Sequence, residues 1–140
     1  MPRYSYIKQS KYSRLRPEDI AIWERFIDKY PAYYESVDYD VKVGNGREYP
    51  EYVGKVIQQG AVEHSRKRVD VVGYKGFEIH VIEVKPNASG GALGQVIEYY
   101  ELFREQYHGT ETIVPVIITD ITHPDTERVA MKLGVKILIA

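Results

Sequence analysis

The chain has no cysteine, so disulfides and thiolate metal sites are excluded. It also has almost no net charge: 19 Lys and Arg against 20 Asp and Glu leave a formal -1. A global basic field is therefore absent, and any polyanion must be held by a local patch. No apolar run approaches the roughly 20 residues that span a bilayer. The N-terminus is basic and tyrosine-rich, without an apolar signal core. Repeats, low-complexity tracts and linkers are lacking as well. These absences lead us to expect a soluble, cytoplasmic protein (of a host cell if viral) with no membrane partner.

What is present fits one domain. A chain of 140 residues buries enough surface for one sizeable core. Residues 1–16 form a basic arm, and residues 17–140 are expected to form the domain. The arm carries Arg3, Lys8, Lys11, Arg14 and Arg16 with no acid, interleaved with Tyr4, Tyr6 and Tyr12. It reads either as a solvated terminus or as a nucleic-acid contact, with Lys8, Lys11 and Arg14 on phosphates and tyrosines stacking.

Pro17 suits the first position of a helix, with Glu18 and Asp19 complementing its dipole. Ile20, Trp23, Phe26, Ile27 and Tyr30 then form an apolar stripe, and Pro31 ends the helix. Trp23 reads as core, and Glu24 borders the stripe. Val37 to Val43 alternates as a half-buried strand. Residues 47–63 read as a short helix or a long loop. His64-Ser-Arg-Lys-Arg68 is a basic cluster, in which Arg66, Lys67 and Arg68 either grip phosphates or form a solvated turn.

Two strands follow, through Val69, Val71 and Val72 and then through Phe77, Ile79, Val81, Ile82 and Val84, joined by a turn at Tyr74-Lys75-Gly76. Pro86 closes the second. The Gly-rich segment Ser89 to Gly94 reads as a phosphate-approach loop or as a turn that packs helix closely on sheet. A helix from about Ala92 to Tyr107 has its stripe at Leu93, Val96, Ile97, Tyr100, Phe103 and Tyr107. Thr112 to Thr119 is a buried-type strand in which Pro115 marks an edge or bulge. Pro124 opens a helix through Val129, Ala130 and Leu133, capped by Gly134, and Val135 to Ala140 is a last strand. The order α-β-β-β-α-β-α-β implies an α/β fold, with a central mixed sheet flanked by helices and right-handed crossovers.

The chemistry concentrates at the end of the second strand. Period-two alternation places Glu83 and Lys85 on one face with Phe77, Ile79 and Val81. Asp70, near the start of the partner strand, can face the same pocket, although a one-residue register slip would send it away. Two carboxylates meeting at one site repel unless a proton or a cation joins them. Mg²⁺, or Mn²⁺, is the natural cation, since it uses one or two carboxylates, waters and phosphate oxygens. The Val84 backbone carbonyl can complete the protein ligands. Lys85 can act on an attacking water or neutralise phosphate charge. The plain alternative is a salt bridge of Lys85 with Glu83 or Asp70. The histidines His64, His80, His108 and His123 are scattered and support neither a zinc site nor a Ser-His-Asp triad.

Asp70 followed by Glu83-Val84-Lys85 on the next strand resembles the PD-(D/E)xK nuclease superfamily. Gln95 and Tyr99 resemble the Q-x-x-x-Y extension of its exonuclease-type members. The likeness runs from about Pro17 to Ala140, is poor over residues 44–66, and lacks the proline before the aspartate, where Val69 stands. The resemblance implies a restriction-endonuclease-like core and a metal-dependent deoxyribonuclease. In it Asp70 and Glu83 bind the metal, Lys85 acts on the attacking water, and Gln95 positions the lysine or the substrate. Glu24 is its candidate auxiliary acid. Small size suggests a phage- or virus-borne member, and a homodimer is plausible if both strands of a duplex are cut. The alternatives are a catalytically inactive nucleic-acid-binding module of the same fold and a protein-interaction factor with a tyrosine-rich surface.

Overall fold

The computed structural model describes residues 3–46, 60, 62 and 65–140. Most of the stretch read as a short helix or long loop, and His64, lie outside the described residues. The described elements are β1 (Tyr4–Ser5), α1 (Pro17–Lys29), β2 (Ser36–Val43), β3 (Lys67–Lys75), β4 (Glu78–Val84), α2 (Gly90–Gln106), β5 (Thr112–Thr119), α3 (Pro124–Leu133) and β6 (Lys136–Ile139). The expected order holds, with β1 added from the arm. All six strands lie in one sheet in simple sequential order. From β1 to β4 neighbours are antiparallel, and β4, β5 and β6 are parallel. The helices α2 and α3 are the crossovers that parallel pairing requires.

The sheet separates two apolar layers. On one face Trp23 and Phe26 of α1 pack with Val37, Val71, Ile82, Val84, Val116 and Ile118. On the other, Leu93 and Val96 of α2 meet Ile117, Ala130 and Val135, while Phe103 meets Val72, Ile79 and Val81. Central β4 is covered on both sides, so every residue from Ile79 to Val84 is buried, His80 and Glu83 among them. Trp23 is core, as expected, and its indole N–H donates to the Tyr39 hydroxyl at 3.0 Å.

Four local expectations need correction. Lys75 pairs with Glu78, so the hairpin turn is Gly76-Phe77, and Tyr74 and Lys75 belong to the strand. Gly76 has φ 59, which a two-residue turn of this kind demands at its first central position. Phe77 is therefore at a turn tip, 84% exposed, and not in the core row. Tyr30 is half out of the α1 stripe, and Ile22 is buried in that helix instead. In α3 only Ala130 is buried, and Val129 and Leu133 face outward. That helix lies over a four-residue edge strand, which offers little apolar surface to cover. Pro115 is tolerated because β6 pairs with β5 only from Val116 onward, leaving the proline's side of the ladder open.

The arm packs on the α1 face. Tyr4 and Ser5 pair with Val37 and Ser36, and Tyr6 and Leu15 are buried in the α1 layer. The arm is thus anchored at Tyr6 and Leu15, while Tyr4, Ile7, Lys8, Lys11 and Arg14 stay exposed.

One irregularity shapes the site. β3 pairs with β4 only as far as Val71 opposite Ile82, yet it continues along β2 through Val69, Arg68 and Lys67. The sheet thus forks. β3 follows β2, β4 follows β5, and Asp70 and Glu83 stand on the two prongs. At the same level of β2, Asp40 drops out of the ladder with φ 55. Val37 and Tyr39 belong to the α1 layer, whereas Val41 and Val43 belong to the α2 layer. Regular alternation would keep these four on one face.

Candidate active site

The fork opens into a cavity of about 280 Å³. Asp70, Glu83, Val84 and Lys85 line it from the strands, and Gln95 and Tyr99 from α2. Gln95 and Tyr99 are four apart and share a helix face, as their spacing predicts. The remaining wall comes from Arg68 of β3, from Arg14 and Arg16 at the end of the arm, and from Glu18 and Asp19 in the first turn of α1.

The two central carboxylates are hydrogen-bonded to each other. Glu83 is buried in the sheet, and burial, then the Asp70 charge and the bond to it, push its carboxyl up to about 9. Asp70 is also raised by burial, against the opposing effect of the bonds from Glu83 and from the Val84 N–H. The pair as a unit is therefore biased toward holding one proton between the two acids. The Val84 N–H donates to Asp70 Oδ2 at 3.2 Å, replacing the strand partner missing at the fork. On the other side Lys85 N–H donates to Ile118 O at 3.0 Å. The peptide groups of Val84 itself must point the opposite way, so its carbonyl turns toward the Asp70 prong. The Tyr99 hydroxyl is raised by partial burial and then by the charges of Glu83 and Asp70.

This donor set suits a hard cation. Two carboxylates and one carbonyl, with room for water, match what Mg²⁺ or Mn²⁺ takes from proteins. Among the described residues no three His, Cys, Asp or Glu side chains gather closely enough to form a fuller cage. Two like charges this close in the sheet need a counter-charge, which a divalent ion between them would supply. Lys85 does not replace it, since it is exposed at the cavity mouth and makes no ion pair with either acid among the described residues.

The remaining candidate residues are spread more widely. Glu24 does not line the cavity: it accepts a bond from the Tyr12 hydroxyl at 2.8 Å. The α1 acids that do line it are Glu18 and Asp19 of the first turn, and Asp19 stands five residues before Glu24, about 140° round the helix. The Asp19 carboxyl is raised by burial and accepts from the Arg16 N–H at 3.4 Å. A signal for Asp19 existed in its place at the helix start, but the sequence does not say which end of α1 meets the strands. Of the cationic candidates, Arg68 and Arg14 reach the cavity. Lys8 pairs with Asp28 and Lys67 with Glu98, and Lys11 lines a separate small cleft beside Tyr39. Arg66 donates to the Gly44 and Lys42 carbonyls and acts in tying β2 to β3. Gly90, Gly91 and Gly94 are exposed, and a Cβ at any of them would meet nothing within 4 Å. Close packing of helix on sheet therefore does not account for them.

No family model matches the sequence, and no curated protein matches it. Among solved structures the chain is similar to a repair endonuclease from Pyrococcus abyssi, with a TM-score of 0.53 and 19% identity over 94% of this chain and 49% of that one. The fold is restriction-endonuclease-like. A protein of unknown function is also similar, with a TM-score of 0.49 and 15% identity over 81% of this chain and 52% of that one. The chain spans about half the length of both solved structures it matches.

Proposed function

We propose that this chain is a PD-(D/E)xK-type nuclease that hydrolyses phosphodiester bonds of DNA with Mg²⁺ or Mn²⁺. One observation carries the reading. Buried Glu83 and half-buried Asp70 meet at the sheet fork, in a cavity that also takes Lys85, Gln95 and Tyr99. A buried acid pair costs stability, and a fold keeps one where it has work to do. The likeness in fold to a repair endonuclease supports the same reading.

In this mechanism Asp70, Glu83 and the Val84 carbonyl hold the ion. When bound, it supplies Lewis-acid stabilisation of a phosphate in which negative charge builds up. The Val84 N–H fixes the rotamer of Asp70, so one ligand is pre-set before substrate arrives. Lys85 presents its ammonium at the mouth of the cavity, where it holds the attacking water and offsets charge on the phosphate. Gln95 offers an amide donor and acceptor across the cavity from the strands, suited to orienting that water or the lysine. Tyr99, whose hydroxyl is raised by partial burial and the neighbouring acids, offers a hydroxyl donor beside them.

Cleavage of single-stranded, duplex and branched DNA in Mg²⁺ or Mn²⁺ tests the proposal. Wild type should cut, and Asp70→Asn, Glu83→Gln and Lys85→Ala should each lose about 10²-fold or more in rate. Cleavage that persists in all three variants would assign it to a contaminant. Salt-sensitive binding without turnover would support the inactive binding module instead.

A further inference from the structure

Asp40 occupies the ladder position opposite Asp70. Its neighbours Tyr39 and Val41 pair with Val71 and Val69, and the position between is skipped. One strand spacing, about 5 Å, separates it from the proposed metal-binding strand. Its carboxylate does not join the acid pair. Arg68 Nη1 donates to Asp40 Oδ2 at 2.9 Å, Arg14 Nε lies 3.6 Å from Oδ1, and the Ser13 hydroxyl donates to Oδ2 at 3.3 Å.

Two features mark this cluster as more than a fold-stabilising ion pair. Asp40 has φ 55 and Arg14 has φ 67, so two facing residues both adopt the left-handed conformation that side chains disfavour. The pairing is also incomplete. Among the described residues Asp40 Oδ1 and Arg68 Nε are buried without a hydrogen-bond partner. Buried polar groups of this kind call for an explanation. Both arginines line the cavity, and the Arg14 side chain is 58% exposed, with its guanidinium held on one edge only.

We propose that Asp40 is a positioning residue that yokes Arg14 and Arg68 into a grip for the DNA phosphate next to the scissile one. The arm is then a wall of the active site and delivers one of the two guanidinium groups of the grip. Planar guanidinium forks suit phosphate oxygens, and a shared carboxylate keeps two like charges side by side before substrate arrives. This grip rests on the nuclease reading, because it needs DNA phosphates to enter this cavity.

The test measures binding of a 20-nucleotide DNA, single-stranded and duplex, in EDTA across a salt series, with cleavage in Mg²⁺ assayed separately. Asp40→Asn and Arg14→Gly are the variants, chosen because Asn and Gly accept the left-handed conformation. Removing an acid near a polyanion site should tighten binding if Asp40 acts only through its charge. The grip predicts the opposite: about tenfold weaker binding, with a salt slope shallower by about 0.7 to 0.9 because one phosphate is no longer neutralised. Arg14→Gly should show the same shallower slope with a melting temperature unchanged or higher, since the strain is relieved. A plain structural ion pair would lower the melting temperature and leave the slope intact, which would overturn the proposal. Tighter binding by Asp40→Asn would overturn it too. If wild type neither binds nor cuts either DNA, the nuclease reading itself falls. If wild type cuts and both variants keep its slope, the grip alone falls.

Discussion

The side chain that governs this molecule is Glu83. A carboxylic acid on a central strand is costly, and here the cost is reduced by one proton shared with Asp70. The consequence for stability has a definite sign. The unfolded chain loses this proton near pH 4.5, whereas the folded chain keeps it until about pH 9. Between those values the native state binds more protons, so metal-free stability is full below pH 4.5 and falls as pH rises toward 9. Urea unfolding in EDTA from about pH 5 to about 9 should show this decline in wild type and a flatter profile in Glu83→Gln. A cation has the complementary effect. A metal that binds only the native state adds about 2.7 kcal/mol at a hundredfold excess over Kd. Mn²⁺ should therefore raise the melting temperature of wild type and not of Glu83→Ala. Equal shifts in both would place the ion elsewhere. At this scale the sequence was informative, because E-x-K at the end of an apolar strand is chemically conspicuous. Asp40 was not conspicuous. It looks like any polar residue of a half-buried strand, and only its backbone angle and its two arginines set it apart.

At the scale of elements, the helices and strands were legible wherever apolar periodicity or a proline stood guard. Pro17, Pro124 and the β-branched runs placed α1, α3, β4 and β5 nearly to the residue, whereas β3 runs on to Lys75 through the expected turn. Faces were harder. Glu24 and Asp19 both border α1, and which of them meets the cavity depends on how the helix lies across the sheet. Val129 and Leu133 repeat at helical spacing, yet the short strand beneath α3 has no room for them. The hairpin shows a further tie between elements. Gly73 of β3 lies under the buried Tyr34 ring, where a Cβ would come within 2.5 Å of a ring carbon. Tyr34 is fixed in turn by its hydroxyl, 2.8 Å from His80 Nδ1. Gly73→Ala should accordingly destabilise the protein by about 1–3 kcal/mol, as overpacking does in a full core. Chemical denaturation checks it, and a neutral result would show that the ring moves freely.

At the scale of the whole molecule, the arm and the domain are one packed body over the described residues. Tyr6 sits edge-on to Trp23 and Tyr34, and Leu15 joins the same layer. Trypsin should therefore cut after Arg14 only as fast as the protein unfolds or opens locally, although this basic stretch looks like an ideal substrate. Rapid clipping at Arg14 under native conditions would show the arm detached. No helix among the described residues is long and apolar enough to cross a membrane.

A family resemblance added Gln95 and Tyr99, while local chemistry and periodicity yielded an α/β order and a mixed sheet and marked Asp70, Glu83 and Lys85 as the residues to watch. These follow from nearest neighbours, since strand alternation and helix spacing act over a few residues. Long-range geometry settled the rest. Whether Asp70 turns toward Glu83 depended on a register between strands, and the fork that opens there depends on β3 following β2 while β4 follows β5. That Arg14 and Arg68 meet at Asp40 depends on residues far apart in sequence, brought together by the sheet and the packed arm. No local pattern encodes such a meeting, because it is a property of how the layers stack.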